Sequence, residues 1–125
     1  MACVDQWRAR RLAAQPAVRR VHHSLLGEPG PGAATLSGAS GLFSLELDRE
    51  QAGIARFCDA LRLFKLGVSW GGHESLVFPA AAGLVQKGPA NPLAFFGVSP
   101  ATVRLHIGLE DPEDLWSDLR QALDA

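Results

Sequence analysis

The sequence is short of the features that would commit it to a membrane, a nucleic acid or a metal. Twelve Lys and Arg against 13 Asp and Glu leave a formal charge of −1, so no overall field draws the chain towards nucleic acid or anionic lipid. No run approaches the ~18 apolar residues that a membrane span needs. No charged start followed by an apolar stretch marks a signal peptide. The two cysteines, Cys3 and Cys58, lack metal-ligand spacing, and without an export signal a reducing cytoplasm is the expected compartment. No internal repeat is found, and no glycine spacing matches a phosphate loop or a dinucleotide fingerprint. What is present is 125 residues, 47% hydrophobic and 20% charged, the profile of one ordinary soluble domain over residues 1–125.

The chain then divides by period and punctuation. Val4 to Ala14, with Trp7, Leu12 and several alanines, reads as a helix with its arginines towards solvent, and Gln15-Pro16 ends it. Val18 and Val21 support a short strand over Ala17 to His22. Gly27 to Gly41 has no apolar period and reads as a long loop. Phe43, Leu45 and Leu47 alternate with Ser44, Glu46 and Asp48, the period of a half-buried strand. Asp48, three residues before Gln51, predicts an N-cap for a helix over Arg49 to Leu61 that buries Ile54, Phe57, Cys58 and Leu61. Leu63 to Val68 and Ser75 to Phe78 read as extended runs, and Ala80 to Pro100 as loop. Val103, Leu105, Ile107 and Leu109 predict a strand with one apolar face. Asp111-Pro112-Glu113-Asp114 opens a last helix with a capping aspartate, a proline at the first helical position and acids in the first turn. The expected fold class is α+β: a small antiparallel or mixed sheet with helices packed on one face.

Few side chains stand out chemically. Arg104 lies mid-strand, on the face opposite the apolar stripe. A guanidinium held on a rigid strand suits a carboxylate or phosphate, and an ordinary pairing with a neighbouring acid suits it equally. His106 shares its face. In Ser69-Trp70-Gly71-Gly72 the glycines permit a tight turn against a ligand, with Trp70 either walling a pocket or filling the core. His22 and His23 are adjacent but lack an acid–cysteine cluster that would make them metal ligands. His73 and Glu74, as neighbours on an extended segment, would point opposite ways. Cys58 reads as a small core residue. Arg8, Arg10, Arg11, Arg19 and Arg20 read as a solvated basic patch and not as a nucleic-acid surface.

Phe64 to Leu76 (FKLGVSWGGHESL), Val103 to Asp111 (VRLHIGLED), Gly38 to Phe43 (GASGLF) and Pro16 to His23 (PAVRRVHH) resemble, in this order, the C-terminal part of the pyridoxal-phosphate-dependent Cys/Met metabolism (transsulfuration) family. Its cystathionine β-lyases are the most similar branch. The resemblance runs from about Asp5 to Leu123. It implies the small C-terminal domain of a fold-type I enzyme, an antiparallel sheet with helices on one side, without the large cofactor domain. It implies that the arginine matching Arg104 grips a substrate α-carboxylate and that Ser69 and Trp70 line the same pocket. The parent reaction so implied is α,β-elimination from a cystathionine-like sulfur amino acid, giving a thiol, pyruvate and ammonia.

The departures carry expectations of their own. The family's Schiff-base lysine belongs to the large domain, and the two lysines here, Lys65 and Lys87, match no such motif. No catalytic residue and no metal ligand is therefore expected, pyridoxal 5′-phosphate serves the parent enzyme, and this chain holds none covalently. Ser24 stands where family members carry a proline, and the Gly30 to Ser37 loop is shortened. Three readings remain: a fragment or split subunit that needs the large domain in cis or trans, a stand-alone amino-acid-binding module, and an interaction domain with a vestigial pocket. A sheet face meant for a large domain and left uncovered implies self-association or marginal stability.

Overall fold

In a computed structural model of the chain the described residues are 9–26, 30–32, 34–35, 38–86 and 90–125. Residues 9–13 are helical, and then come strands β1 (Val18–His22) and β2 (Leu42–Leu47), helix α1 (Gln51–Ala60), and strands β3 (Lys65–Leu66) and β4 (Leu76–Pro79). Two short helices, α2 (Ala80–Leu84) and α3 (Pro92–Phe95), lead to strand β5 (Thr102–His106) and helix α4 (Pro112–Leu123). Trp7, Cys3 and Lys87 lie outside the described residues.

The strands form one sheet in the order β1-β2-β5-β4-β3. All neighbours are antiparallel except β3 and β4, the mixed α+β arrangement expected from sequence. β5, last in the chain, inserts between β2 and β4 and so occupies the centre. Its register places Val103 against Leu45 and Pro79, and Leu105 against Phe43 and Val77. Those side chains form one apolar face. Leu12, Ile54, Phe57, Cys58, Leu115, Trp116, Leu119 and Leu123 close over it from the N-terminal helical residues, α1 and α4. Each such fully buried large side chain contributes about 1.5–3 kcal/mol, which is why the long helices sit on this face. Burial, and to a smaller degree the charge of Asp59, push the Cys58 thiol up to about 11, as expected of a core cysteine.

Four sequence readings are corrected. Asp48 does not cap α1: Glu50 occupies the cap position without a side-chain bond, while Asp48 accepts from Arg19 at 2.5 Å and its backbone N–H donates to Ala17 O. Pairing beyond the end of β2 has taken the residue that a local pattern assigns to the helix. Arg49 instead donates to Leu123 O and Ala125 O, satisfying carbonyls at the open end of α4. Residues 80–100 are not all loop, since α2 and α3 lie there; one-turn helices are too short to show a 3.6-residue period. Asn91 caps α3 by accepting from Leu93 and Ala94 N–H, and its amide donates to Gly83 O, binding α3 to α2. Arg11 is only partly turned to solvent: its guanidinium lies 4.1 Å from the Trp116 ring centre and 3.5 Å from Glu113. Leu109 does not extend the apolar face, being 68% exposed, because the strand ends at His106. The capping of α4 by Asp111, with Pro112 following, is as the sequence predicts.

Candidate functional site

The second face of the sheet carries the polar side chains that the alternation leaves over. One register row crosses four strands: His22, Ser44, Arg104 and Phe78. Arg104 is central in this row, and its Nη2 donates to Val68 O at 2.6 Å while the guanidinium stands 5.4 Å from the Phe78 ring centre. The carbonyl anchors one end of the fork and the ring steadies its face, so the head group is oriented without neutralising its charge. No carboxylate of the described residues pairs with it. The ordinary alternative, an arginine matched to a neighbouring acid, is thereby set aside.

Arg104 lines a concavity of about 660 Å³ shared with His22, Ser44, Glu46, Phe78, Leu93 and Phe96, among others. Its floor is polar sheet, and its wall is apolar α3 with the turn after it. Asn91, which holds α2 and α3 together, thus shapes the site from a distance. Its Asn-Pro signature, an N-cap followed by proline at the first helical position, is present in the sequence and was available to be read.

Val68 begins the loop that carries Ser69 and Trp70. His106, one step along the same face of β5 from Arg104, holds the loop's other side: its Nε2 lies 3.1 Å from Gly72 O, and Gly71 N–H approaches the ring edge, 3.2 Å from Nε2 and 3.4 Å from Nδ1. His106 is buried to 7% exposure by this arch, and Gly71 adopts φ +80° at the turn, a conformation open to glycine and strained for other residues. Two alternate residues of one strand therefore stake the loop on either side of Ser69-Trp70. Trp70 is 63% exposed, which excludes the core reading. Ser69 is exposed as well. Neither lines the concavity; both stand beside it, one residue and two residues beyond the carbonyl that Arg104 holds.

The loop's far end is fixed by Glu110. Its carboxylate accepts from Ser75 N–H at 2.7 Å and from the Ser75 hydroxyl at 2.8 Å, while Ser75 Oγ accepts from Gly108 N–H at 2.9 Å. Partial burial raises the Glu110 pKa, but the Ser75 and Glu110 backbone N–H groups, the Ser75 hydroxyl and the charge of His73 together bring it below the ordinary carboxyl value. A Cβ on Gly108 would overlap His73 O and stand 2.6 Å from the Glu74 carbonyl carbon, so this crossing admits only glycine. His73 and Glu74 sit on a bend, not on an extended segment.

Fold and site together define a small α+β domain that displays an oriented arginine on an open sheet face, next to a staked Ser-Trp loop. The chain belongs to the family described as Cys/Met metabolism PLP-dependent enzymes, whose model matches residues 6–124. It is 40% identical over 109 residues to a cystathionine beta-lyase of Bordetella avium, covering 86% of this chain and 26% of that protein. It is 43% identical over 88 residues to an L-alanine/L-glutamate racemase of Wolbachia pipientis wMel, covering 69% of this chain and 21% of that protein. The crystal structure of a cystathione gamma lyase from Micromonospora echinospora superposes with a TM-score of 0.84 at 33% identity, over 99% of this chain and 33% of that one. The chain thus spans between about a fifth and a third of the length of these relatives.

The family is dependent on pyridoxal phosphate. The described residues do not fit that group by themselves. Lys65, the one lysine among them, lies on the outermost strand, donates from Nζ to Arg62 O at 2.6 Å, and does not line the Arg104 concavity. Among the described residues no cluster of three His, Cys, Asp or Glu is arranged to hold a metal, and no helix is long and apolar enough to cross a membrane.

Proposed function

We propose that the chain is the C-terminal, substrate-carboxylate-binding domain of a cystathionine β-lyase-like, pyridoxal-phosphate-dependent carbon–sulfur lyase of sulfur amino-acid metabolism, inactive alone and acting with a large cofactor domain in cis or in trans. The observation that carries this reading is Arg104, oriented by Val68 O at 2.6 Å and without a carboxylate partner among the described residues. Its fork is left to receive a planar, two-oxygen anion, and the α-carboxylate of an amino acid is such a group. Ser69 and Trp70 stand beside it, on the loop that Arg104 holds through Val68 O. The cofactor is contributed by the other domain, because no described amine faces the site. Trp70, Phe95 and Phe96, at 63%, 83% and 77% exposure, flank the concavity and supply apolar surface for that domain; uncovered, they drive self-association. The free, buried thiol of Cys58 supports a reducing, cytoplasmic setting.

In this reading the chain's residues bind and orient. Arg104 fixes the carboxylate, the α3 wall with Leu93 and Phe96 keeps water from one side of the substrate, and the staked loop limits its rotation. The overall reaction is elimination from cystathionine followed by hydrolysis: the Cβ–S bond breaks, the thiol leaves, and one water converts the remaining three-carbon enamine to pyruvate and ammonia. The test mixes the chain with the cofactor domain of a cystathionine β-lyase truncated of its own C-terminal third, and measures pyruvate from cystathionine. The mixture gains activity and Arg104→Lys raises its KM, since a point charge replaces a two-pronged donor. Pyruvate release by the chain alone at enzyme-like rates would overturn the reading.

A further inference from the structure

Glu46 and Arg104 occupy diagonal positions on neighbouring strands, because Ser44 pairs with Arg104 and Glu46 with Thr102. Diagonal residues on one face lie about 7–8 Å apart, within reach of long side chains. The default outcome for an arginine and a glutamate so placed is an ion pair, and it is not made. Arg104 turns towards β4, onto Val68 O and the Phe78 ring. Glu46 turns towards β1, where Oε1 meets His22 Nε2 at 2.7 Å. Arg20 lies directly across from Glu46 in the register and also forms no ion pair with it. The outcome is one concavity, about 660 Å³, with a cation and an anion on the same floor held apart, and with Leu93 and Phe96 along the wall.

We propose that Glu46, positioned by His22, is a second recognition point for the ligand of this site, and that it selects carboxylic acids carrying a cationic group several atoms from the carboxylate. The inference rests on the reading of Arg104 as a carboxylate anchor. The second group is an ammonium because Glu46 offers acceptors only and a carboxylate attracts a cationic donor. It is distant from the first because the two side chains turn to opposite neighbours. The apolar wall beside them suits a methylene or thioether linker. The His22 contact occupies one carboxylate oxygen and fixes the orientation of the other.

The test titrates the full chain, labelled with 15N and 13C, with hexanoate and with 6-aminohexanoate, following the Arg104 and His22 side-chain signals. These ligands share carboxylate and linker and differ in the ammonium alone. A partly exposed charge pair predicts about three- to fivefold tighter binding of 6-aminohexanoate, with the His22 ring signal moving only for that ligand. In Glu46→Gln, which keeps a hydrogen-bond partner for His22, the ratio of the two dissociation constants falls to about one. Equal binding of both ligands to the unaltered chain, or a preference that survives in Glu46→Gln, overturns the subsite while leaving the Arg104 anchor standing. If neither ligand moves the Arg104 signals, the carboxylate reading falls and the subsite with it.

Discussion

His106→Leu isolates what the loop over the site is worth. His106 lies in register between Leu42 and Leu76, so a leucine there meets two leucines and loses little packing. What disappears is the bond to Gly72 O at 3.1 Å and the approach of Gly71 N–H to the ring. Two neutral hydrogen bonds contribute about 0.5–1.5 kcal/mol each. Gly71 and Gly72 are exposed, so water can take up the released groups and the expected loss is at the lower end, about 1–2 kcal/mol. Because 1.4 kcal/mol is a factor of ten, the Gly71 amide should exchange with deuterium roughly 5- to 30-fold faster. The Leu109 amide is the internal control: it donates to His73 O at 2.8 Å, in the part of the loop fixed by Ser75 and Glu110, and should be unaffected. Hexanoate binding should weaken, because the carbonyl that orients Arg104 is in the released segment. Unchanged Gly71 exchange would show that His106 does not hold the loop. Equal acceleration at Leu109 would show that the loop opens as one unit, contrary to the two-ended staking described above.

Other consequences are equally concrete. Gly108→Ala forces a Cβ onto the backbone of His73 and Glu74 and should lower stability by about 1–3 kcal/mol in urea unfolding, while Gly72→Ala, with open space at that position, should cost well under half as much. The Glu110 carboxyl has a depressed folded pKa, so its stabilisation is complete above its ordinary value of 4.5 and is lost as pH falls through the folded value; the stability gap between the unaltered chain and Glu110→Gln should close below pH 4.5 and stay constant above about pH 6. The Cys58 thiol is shifted from 9.0 up to about 11, so the protonated form stabilises the fold fully below pH 9 and that contribution is lost as pH rises towards 11. The urea midpoint should therefore fall over that window more steeply than in Cys58→Ala.

What was legible in the sequence, and what was not, divides by the range of the interaction that decides each element. The alternation of Phe43, Leu45 and Leu47 and the Asp111-Pro112 start of α4 were readable because burial and capping there follow from neighbours two to four residues away. Asp48 carries an equally good local signal that does not decide its role, since its partner is Arg19, 29 residues earlier. Asp118 shows the same effect in reverse. It reads as one more polar residue of an amphipathic helix, yet it is buried and accepts from the N–H groups of Arg62, Leu63 and Phe64, tying α4 to the chain between α1 and β3. For the site, the strand pattern placed Arg104 and His106 on one face, but not what each one does. Their partners, Val68 O and Gly72 O, are backbone groups 36 and 34 residues away, and backbone groups leave no trace in a residue pattern.

This division explains why the site sits where it does. β5 is the last strand in the chain and the central one in the sheet, so its side chains are positioned by β2 and β4 on either side. Its apolar residues, Val103 and Leu105, lock the register by burial, since a slip of one residue would drive Arg104 into the core. The cost of burying an unpaired guanidinium is far larger than that of any contact on the other face. The hydrophobic packing on the helix side therefore holds Arg104 at its place in the row with Ser44 and Phe78 without help from the site itself. The site's own bonds act on the loop and not on the sheet register: Arg104, His106 and the Ser75–Glu110 junction hold the segment that carries Ser69 and Trp70. A substitution that loosens this loop should change carboxylate affinity by more than it changes global unfolding, whereas one beneath β5, such as Leu105→Ala, should do the opposite by leaving a cavity worth about 2–5 kcal/mol.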